Sequence, residues 1–162
     1  MDPKAEQARE LLRAKRAGNW FEGGVQFRCI HPECSDCCSG RRGPGYVWVN
    51  MDEMLALANN RGITFDSFTR KYVRLVDGAY SLVEKTNYDC IFLRDGKCEV
   101  YAARPIQCRT YPFWPEVMTS PKRWVREEEN CPGVNVDETV VTGDEVQRQL
   151  AQETENREKS GR

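Results

Sequence analysis

Residues 29–38 read Cys29-Ile30-His31-Pro32-Glu33-Cys34-Ser35-Asp36-Cys37-Cys38, and this stretch holds four of the eight cysteines in the chain. The other four cysteines are spread through the second half of the 162 residues: Cys90, Cys98, Cys108 and Cys131. Such dense clustering of thiols is typical of metal binding. We therefore take all eight cysteines as candidate metal ligands, and a site that used both groups would join the two halves of the chain.

An even number of cysteines in a short chain is also typical of a disulfide framework in a secreted domain. Residues 1–19 oppose that alternative, because they carry five lysines and arginines and no apolar run that could form a signal peptide or a membrane span. We therefore expect a cytoplasmic protein without a membrane segment. In a reducing compartment, clustered thiols bind metal more often than they form disulfides.

Length and charge restrict the domain organisation and the partners. A chain of 162 residues with a formal net charge of −1 is expected to form one small domain and to lack the strong field that nucleic acid or an acidic membrane attracts. We expect an N-terminal helix and linker over residues 1–24, a cysteine-cluster metal-binding domain over 25–136, and a polar, solvated C-terminal tail over 137–162.

Local signals between the two cysteine groups predict a strand and two helices. Residues 46–49 are apolar and aromatic and follow a Gly-Pro-Gly turn, which indicates a short strand. Asn50 and Glu53 have the spacing of a capping box at the start of a helix. Thr64 can cap the next helix, whose apolar residues keep helical spacing until Asp77-Gly78.

The dipeptide Asp95-Gly96 predicts a β-hairpin that brings Cys90 and Cys98 close together. In a strict two-residue turn, side-chain alternation directs these two thiols to opposite faces, unless a bulge or the end of the strand redirects one of them. Together with the helices, the hairpin predicts a small α+β domain with cysteine-rich loops organised around metal.

The adjacent pair Cys37-Cys38 raises the same question of direction. Side chains next to each other in extended backbone point apart, so both thiols can join one tetrahedral site only if the chain turns sharply between them. Eight thiols also exceed the four that one zinc ion or one cubane cluster takes. Two metal sites, or one site with some cysteines left as structural thiols, therefore both remain open.

Two prolines delimit the segment around Cys108. Pro105 favours the first turn of a short helix, and Pro112 prevents its extension past Tyr111. Arg104 and Arg109 flank this cysteine, where their charge would offset that of thiolate ligands. We expect these two arginines to lie in contact with the bound cofactor and to tune it.

Several separated motifs together resemble those of the bacterial YkgJ-type cysteine-cluster proteins, also described as the CxxCxxCC domain, a zinc- or iron-chelating domain. The motifs are Phe27-x-Cys29, Cys34-x-x-Cys37-Cys38, the hairpin cysteines, Arg104-Pro105-x-Gln107-Cys108-Arg109-x-Tyr111-Pro112-Phe113-Trp114, and Cys131-Pro132-Gly133. One feature departs from the family pattern. Four residues instead of two separate Cys29 from Cys34, and they include His31, a further candidate ligand.

The choice between iron and zinc stays open in the sequence, since four thiolates suit both zinc and an iron-sulfur cluster. The spacing of Cys29, Cys34 and Cys37 matches that of plant-type ferredoxins, and the chain lacks the paired CxxC knuckles of a zinc ribbon. Both features favour an iron-sulfur cluster.

Three classes of function follow. The first is a redox or electron-transfer protein with a protein redox partner, the second a structural zinc module for protein interaction, and the third a small oxidoreductase or methyl-transfer accessory enzyme. A single histidine excludes a zinc centre built from several histidines, and no phosphate-binding glycine loop is present. Whether the chain is an enzyme is left open.

Overall fold

The structure is a computed structural model that describes residues 20–162. The expected N-terminal helix lies almost wholly outside these residues. The described chain has an α+β fold built from short antiparallel hairpins and helices. The helices are α1 (Met51–Arg61), α2 (Phe65–Tyr72), α3 (Ile106–Thr110), α4 (Pro121–Arg126) and α5 (Gly143–Lys159). The strands are β1 (Val25–Gln26), β2 (Val73–Val76), β3 (Ala79–Leu82), β4 (Leu93–Arg94), β5 (Lys97–Cys98) and β6 (Val140–Val141).

The chain divides into two compact units. Within the described residues, the first unit comprises 20–29 and Pro112–Leu150, and the second comprises Ile30–Tyr111 and Ala151–Arg162. Among residues 20–162, no helix is long and apolar enough to cross a membrane.

The first unit contains a small sheet that joins its two chain segments. Strand β1 runs antiparallel to β6, and Phe27 forms a further bridge with Val134. Beneath this sheet lies an apolar core in which the Phe113 ring stacks on the indole of Trp124. The buried members of the core are Phe21, Val25, Phe113, Val117, Met118, Trp124, Val134 and Val146.

In the second unit, α1 begins and ends as the local signals predict. The Asn50 side chain accepts a hydrogen bond from the Glu53 amide, and the Glu53 carboxylate accepts one from the Asn50 amide, which completes a capping box. Gly62 ends the helix with a φ of 65°, a left-handed conformation that glycine adopts without a steric penalty. Thr64 caps α2 as expected.

The expectation that helix α2 continues to Asp77 is wrong. The helix ends at Tyr72, and β2 then pairs with β3 across a turn in which Asp77 and Gly78 both have positive φ, 47° and 85°. A two-residue turn with positive φ at both positions matches the twist of paired strands. Residues Val73–Val76 therefore pair with β3 and do not continue the helix. Residues 46–49 join this hairpin through a single bridge between Trp48 and Ser81, not as a regular strand.

The C-terminal residues are packed, contrary to the expected solvated tail. Helix α5 buries Val146 in the first unit and Glu153 and Asn156 in the second. The Glu153 carboxylate is completely buried and pairs with Arg157 at 2.8 Å and with Arg162 at 3.7 Å. Apolar content is a poor guide to burial here, because two of these three buried residues are polar: Glu153 is held by its ion pairs, and the Asn156 side-chain carbonyl oxygen accepts a hydrogen bond from the Asn50 side chain at 2.9 Å.

The remaining core of the second unit lies between α1, α2 and the two hairpins. Its buried members are Val49, Met54, Leu57, Ala58, Phe68, Tyr72, Leu82, Phe92 and Val100. The rings of Phe68, Tyr72 and Phe92 contact one another with centroids 4.9–6.2 Å apart. The aromatic residues of α2 therefore serve the core.

Candidate metal centre

The loop that carries Cys34, Cys37 and Cys38 is held against the segment that precedes the β4–β5 hairpin. The Cys90 amide donates to the Cys38 carbonyl at 2.8 Å, and the Gly40 amide donates to the Asp89 carboxylate at 2.7 Å. A Cβ at Gly40 would lie 2.2 Å from the carbonyl oxygen of Asn87, so only glycine permits this approach. These contacts join the first group of cysteines to the second.

A sharp turn brings the adjacent thiols Cys37 and Cys38 together. Residues Asp36–Cys38 form one turn of 3-10 helix, and the two Sγ atoms lie 4.0 Å apart. Two thiolates on one tetrahedral metal, with metal–sulfur bonds of about 2.3 Å, lie about 3.8 Å apart. The structure thus meets the condition under which both thiols can bind one ion. Cys34 Sγ accepts a hydrogen bond from the Asp36 amide at 3.5 Å.

The hairpin has the predicted register, in which Leu93 faces Cys98 across the turn at Asp95-Gly96. Its regular pairing ends before Cys90, because the Leu93 amide donates to the Cys90 carbonyl at 2.9 Å and the chain turns there. Cys90 therefore lies beyond the regular strand, so the rule of opposite faces does not apply to its side chain. The Cys98 thiol acts electrostatically on Cys90 and contributes to its raised pKa.

Cys108 lies on α3, the short helix between the two prolines. The Cys108 amide donates to the Pro105 carbonyl at 3.0 Å. Two side chains hold this helix. Glu53 accepts a hydrogen bond from the Ile106 amide at 2.8 Å, and Gln107 accepts one from the Trp48 amide at 2.9 Å. The sequence did not indicate that Gln107 and Gly40 position the cysteine segments, because their hydrogen-bond partners lie far away in the chain.

Five thiols act on one another electrostatically, and we call them the thiol cluster: Cys37, Cys38, Cys90, Cys98 and Cys108. Burial raises the pKa of Cys90 to about 11, and burial together with the neighbouring thiols raises the pKa of Cys108 well above its usual value. The metal-free cluster therefore keeps most of its protons at neutral pH.

Whereas burial raises the pKa of Cys90 and Cys108, a hydrogen bond from Cys38 lowers the pKa of two neighbouring thiols. Its hydrogen bond lowers the pKa of Cys37 and that of Cys98 to about 7, and donation of this proton raises the pKa of Cys38 itself. Because one thiol has a single S–H, it stabilises one of the two thiolates at a time. The positive charge of Arg104 also lowers the pKa of Cys37 and Cys98.

The two arginines beside Cys108 differ in their surroundings. The Arg104 guanidinium lies 3.7 Å from the centre of the Tyr101 ring, and its Nε donates to the Tyr101 carbonyl at 2.9 Å. Arg109 is exposed. On the ring of Tyr101, His31 stacks with a centroid distance of 4.0 Å.

Cys29 and Cys131 belong to the first unit. The Arg28 amide donates to the Gly133 carbonyl at 3.0 Å, so the two segments that carry these cysteines run beside each other. Cys29 is exposed, and Cys131 is half-buried with its amide bonded to the Glu127 carbonyl at 2.8 Å. Their role as ligands stays a prediction.

The donor chemistry of the thiol cluster fits zinc or iron, because soft thiolates select these metals over magnesium or calcium. Within residues 20–162, no three His, Cys, Asp or Glu side chains are already arranged as a coordination group. Binding at the cluster would therefore draw the sulfurs together, and the 4.0 Å pair of Cys37 and Cys38 is already at the required separation.

Comparison with known proteins agrees with this chemistry. An uncharacterized protein of Methanocaldococcus jannaschii is 29% identical over 95 residues, which cover 57% of this chain and 48% of the relative. The chain thus matches about half the length of that relative. No solved structure matches the chain. The sequence profile of the CxxCxxCC family, described as a "putative zinc- or iron-chelating domain", matches residues 28–132, and the chain belongs to this family.

Proposed function

We propose that the thiol cluster holds iron as an iron-sulfur centre and that the protein uses it to carry electrons or to sense redox state. The observation that carries this proposal is the convergence of five thiols from three separate segments of the second unit: the Cys34–Cys38 loop, the β4–β5 hairpin and α3. An all-thiolate set is the ligand set of iron-sulfur clusters.

The protein groups around the cluster suit a redox centre. Each thiolate ligand adds a negative charge, and Arg104 offsets part of it because its guanidinium lowers the pKa of nearby thiols. Charge and hydrogen bonds around the sulfurs are the main means by which a protein sets the potential of such a centre. We expect the exposed Arg109 to act on a redox partner or on the centre from the surface.

A cytoplasmic location is part of this proposal. Eight cysteines stand as free thiols in the structure, and a reducing compartment keeps thiols available for metal. A protein redox partner would supply or accept the electrons.

Zinc is the second candidate, and one distance favours it. The 4.0 Å between the sulfurs of Cys37 and Cys38 suits two ligands on a single tetrahedral ion, for which about 3.8 Å is expected. A zinc centre would stabilise the fold and present a surface to a protein partner, since zinc has no redox chemistry of its own.

Anaerobic purification followed by iron, zinc and acid-labile sulfide analysis separates these candidates. A brown protein with sulfide in proportion to iron supports the iron-sulfur proposal. A colourless protein that retains stoichiometric zinc when iron is abundant contradicts it and establishes the zinc module. Serine at Cys34, Cys37, Cys90, Cys98 or Cys108 should lower the metal content in either case.

A further inference from the structure

Two thiols of the thiol cluster are neighbours both in the chain and in space. Cys37 and Cys38 stand on one turn of 3-10 helix, Asp36–Cys38, and their Sγ atoms are 4.0 Å apart. The S–S bond of a disulfide is about 2.05 Å long, so the two sulfurs need to approach by about 2 Å to form one. That approach takes place within a single turn of the chain.

The two thiols differ in their access to solvent. Cys37 is exposed, whereas Cys38 is half-buried beside it. Oxidation-sensitive cysteines are typically accessible thiols with a second thiol next to them that resolves the oxidised form. Cys37 is therefore placed for attack by an oxidant from solvent, and Cys38 is placed for the second step.

A disulfide between adjacent residues is strained. The two Cα atoms are about 3.8 Å apart across a trans peptide, below the range of about 4.4–6.8 Å that disulfides usually span. Strain makes the bond easier to reduce, and easily reduced disulfides are the regulatory ones. The Cys38 amide donates to the Ser35 carbonyl at 2.9 Å, and the Cys38 carbonyl accepts from the Cys90 amide at 2.8 Å. Strain at this dipeptide therefore acts on the turn and on the segment that leads to the hairpin.

We infer that Cys37 and Cys38 form a reversible disulfide that controls metal binding at the thiol cluster. Hydrogen peroxide is the oxidant. It transfers one oxygen to the Cys37 sulfur, which gives a sulfenic acid and water, and the Cys38 sulfur then displaces that oxygen as a second water. The two thiols thus lose two electrons and two protons while one peroxide becomes two waters. Two molecules of a small thiol reverse the reaction by exchange and leave as their own disulfide.

The disulfide removes two ligands from the cluster at once. Metals bind thiolates, and the sulfurs of a disulfide are no longer thiolates. Three thiols of the cluster then remain, Cys90, Cys98 and Cys108, whereas one zinc ion or one cubane cluster takes four. This inference rests on the proposed function only in that a metal occupies the thiol cluster, and it holds for iron or zinc.

Mass spectrometry of the full-length protein tests where the bond forms. The reduced, metal-free chain is treated with an equivalent amount of hydrogen peroxide, free thiols are alkylated, and trypsin releases residues 29–41 as one peptide with four cysteines. We expect alkylated Cys29 and Cys34 and a Cys37–Cys38 pair lighter by two hydrogen atoms. Protein unfolded in urea is the comparison, in which the strained bond should be a minor product. No disulfide, a bond from Cys37 to another cysteine, or the same products with and without urea would overturn the inference.

Two serine variants separate the roles of the thiols. Cys38→Ser removes the second thiol, so the sulfenic acid of Cys37 should persist and react with dimedone, which should label the wild type much less. Cys34→Ser is the matched control in the same loop and should form the bond as the wild type does, because serine still offers an acceptor to the Asp36 amide. Loss of the bond in Cys34→Ser, or equal dimedone labelling of Cys38→Ser and the wild type, would contradict the assigned roles.

Cobalt binding tests the consequence for the metal centre. The oxidised protein should bind Co²⁺ at least about tenfold more weakly than the reduced protein, because loss of even an outer-shell partner has an effect of that size. Treatment with a phosphine reductant should restore the affinity. Unchanged Co²⁺ affinity after the bond has formed would overturn the inference and leave the proposed metal centre intact. A reduced protein that binds no Co²⁺ would instead refute the metal centre itself and, with it, control by this bond.

Discussion

The thiol of Cys38 controls the protonation of its neighbours. Its hydrogen bond favours the thiolate form of Cys37 or Cys98, whereas burial keeps Cys90 and Cys108 protonated. Metal ions bind thiolates, so the cluster offers one deprotonated ligand at neutral pH and releases protons from the others on binding.

Ultraviolet absorbance of thiolates measures this effect in the metal-free protein. One thiolate should form with a midpoint near pH 7, because the pKa of Cys37 and Cys98 is lowered from 9.0 to about 7. The thiolate contributes to the free energy of unfolding above pH 9, and this contribution is lost as the pH falls from 9 to 7. Cys38→Ala should move the midpoint toward 9, and an unmoved midpoint would show that Cys38 is not the donor.

Gly40 permits the cysteine loop to dock. We expect Gly40→Ala to lower the free energy of unfolding by about 1–3 kcal/mol, as overpacking does, and to weaken metal binding because the loop must move away from Asn87. Chemical denaturation and metal titration measure the two effects. Gly45→Ala is the matched control in the same unit, since its nearest atom is 3.7 Å from the new Cβ. Equal effects of both substitutions would disprove the argument.

Helix α3 is too short to hold Cys108 by itself, and other elements fix it. Glu53 completes the capping box of α1 and also accepts the first amide hydrogen of α3, so one carboxylate joins the two helix starts. Thr110 at the other end of α3 donates to the buried Glu153 carboxylate of α5 at 3.4 Å. Contacts outside the helix therefore determine where its cysteine lies.

Glu153→Ala should be strongly destabilising. It leaves Arg157 and Arg162 without their buried counter-charge, a change that costs about 3 kcal/mol, and it removes one of the acceptors of the Thr110 hydroxyl. Thermal or urea unfolding measures it. Glu155→Ala is the control on the same helix, because Glu155 pairs with Lys159 at 2.8 Å on the exposed surface and its loss should change the midpoint little. Similar midpoints for the two variants would contradict a role for the buried pair.

Metal binding should couple distant parts of the second unit. We expect Cys34→Ser or Cys37→Ser to lower metal content and also to speed amide hydrogen exchange in the β4–β5 hairpin, because the Cys90 amide is bonded to the Cys38 carbonyl. Hydrogen-exchange mass spectrometry of metal-loaded protein tests this. Unchanged exchange in the hairpin, despite lost metal, would argue against a shared site.

The whole chain should fold around metal without disulfides. Chelation should lower the unfolding temperature, since a ligand that binds the folded state alone stabilises it. Alkylation under denaturing conditions followed by mass spectrometry should find eight modifiable thiols in protein made in a reducing cytosol. Four native disulfides without bound metal would refute this interpretation.

Sequence reasoning succeeded where a signal and its effect lie within a few residues. The capping box at Asn50 and Glu53, the cap at Thr64 and the Asp95-Gly96 turn follow from side chains that bond to nearby backbone, so no tertiary contact is needed to predict them. A local signal also marks the end of α2, because Asp77-Gly78 is the same hairpin dipeptide and its turn overrides the helical spacing of the apolar residues. The joint cysteine motifs were sufficient to identify the family.

By itself, then, the sequence determined the local helix starts, the two-residue turn and the membership of a metal-chelating family. Only the tertiary structure decided which thiols are neighbours, that the regular β4–β5 pairing ends before Cys90, and that Glu153 is buried. The physical reason is the distance along the chain between partners. Gly40 and Asp89 are 49 residues apart, and Thr110 and Glu153 are 43 residues apart. Such pairs form when packing brings them together, and no local pattern records them.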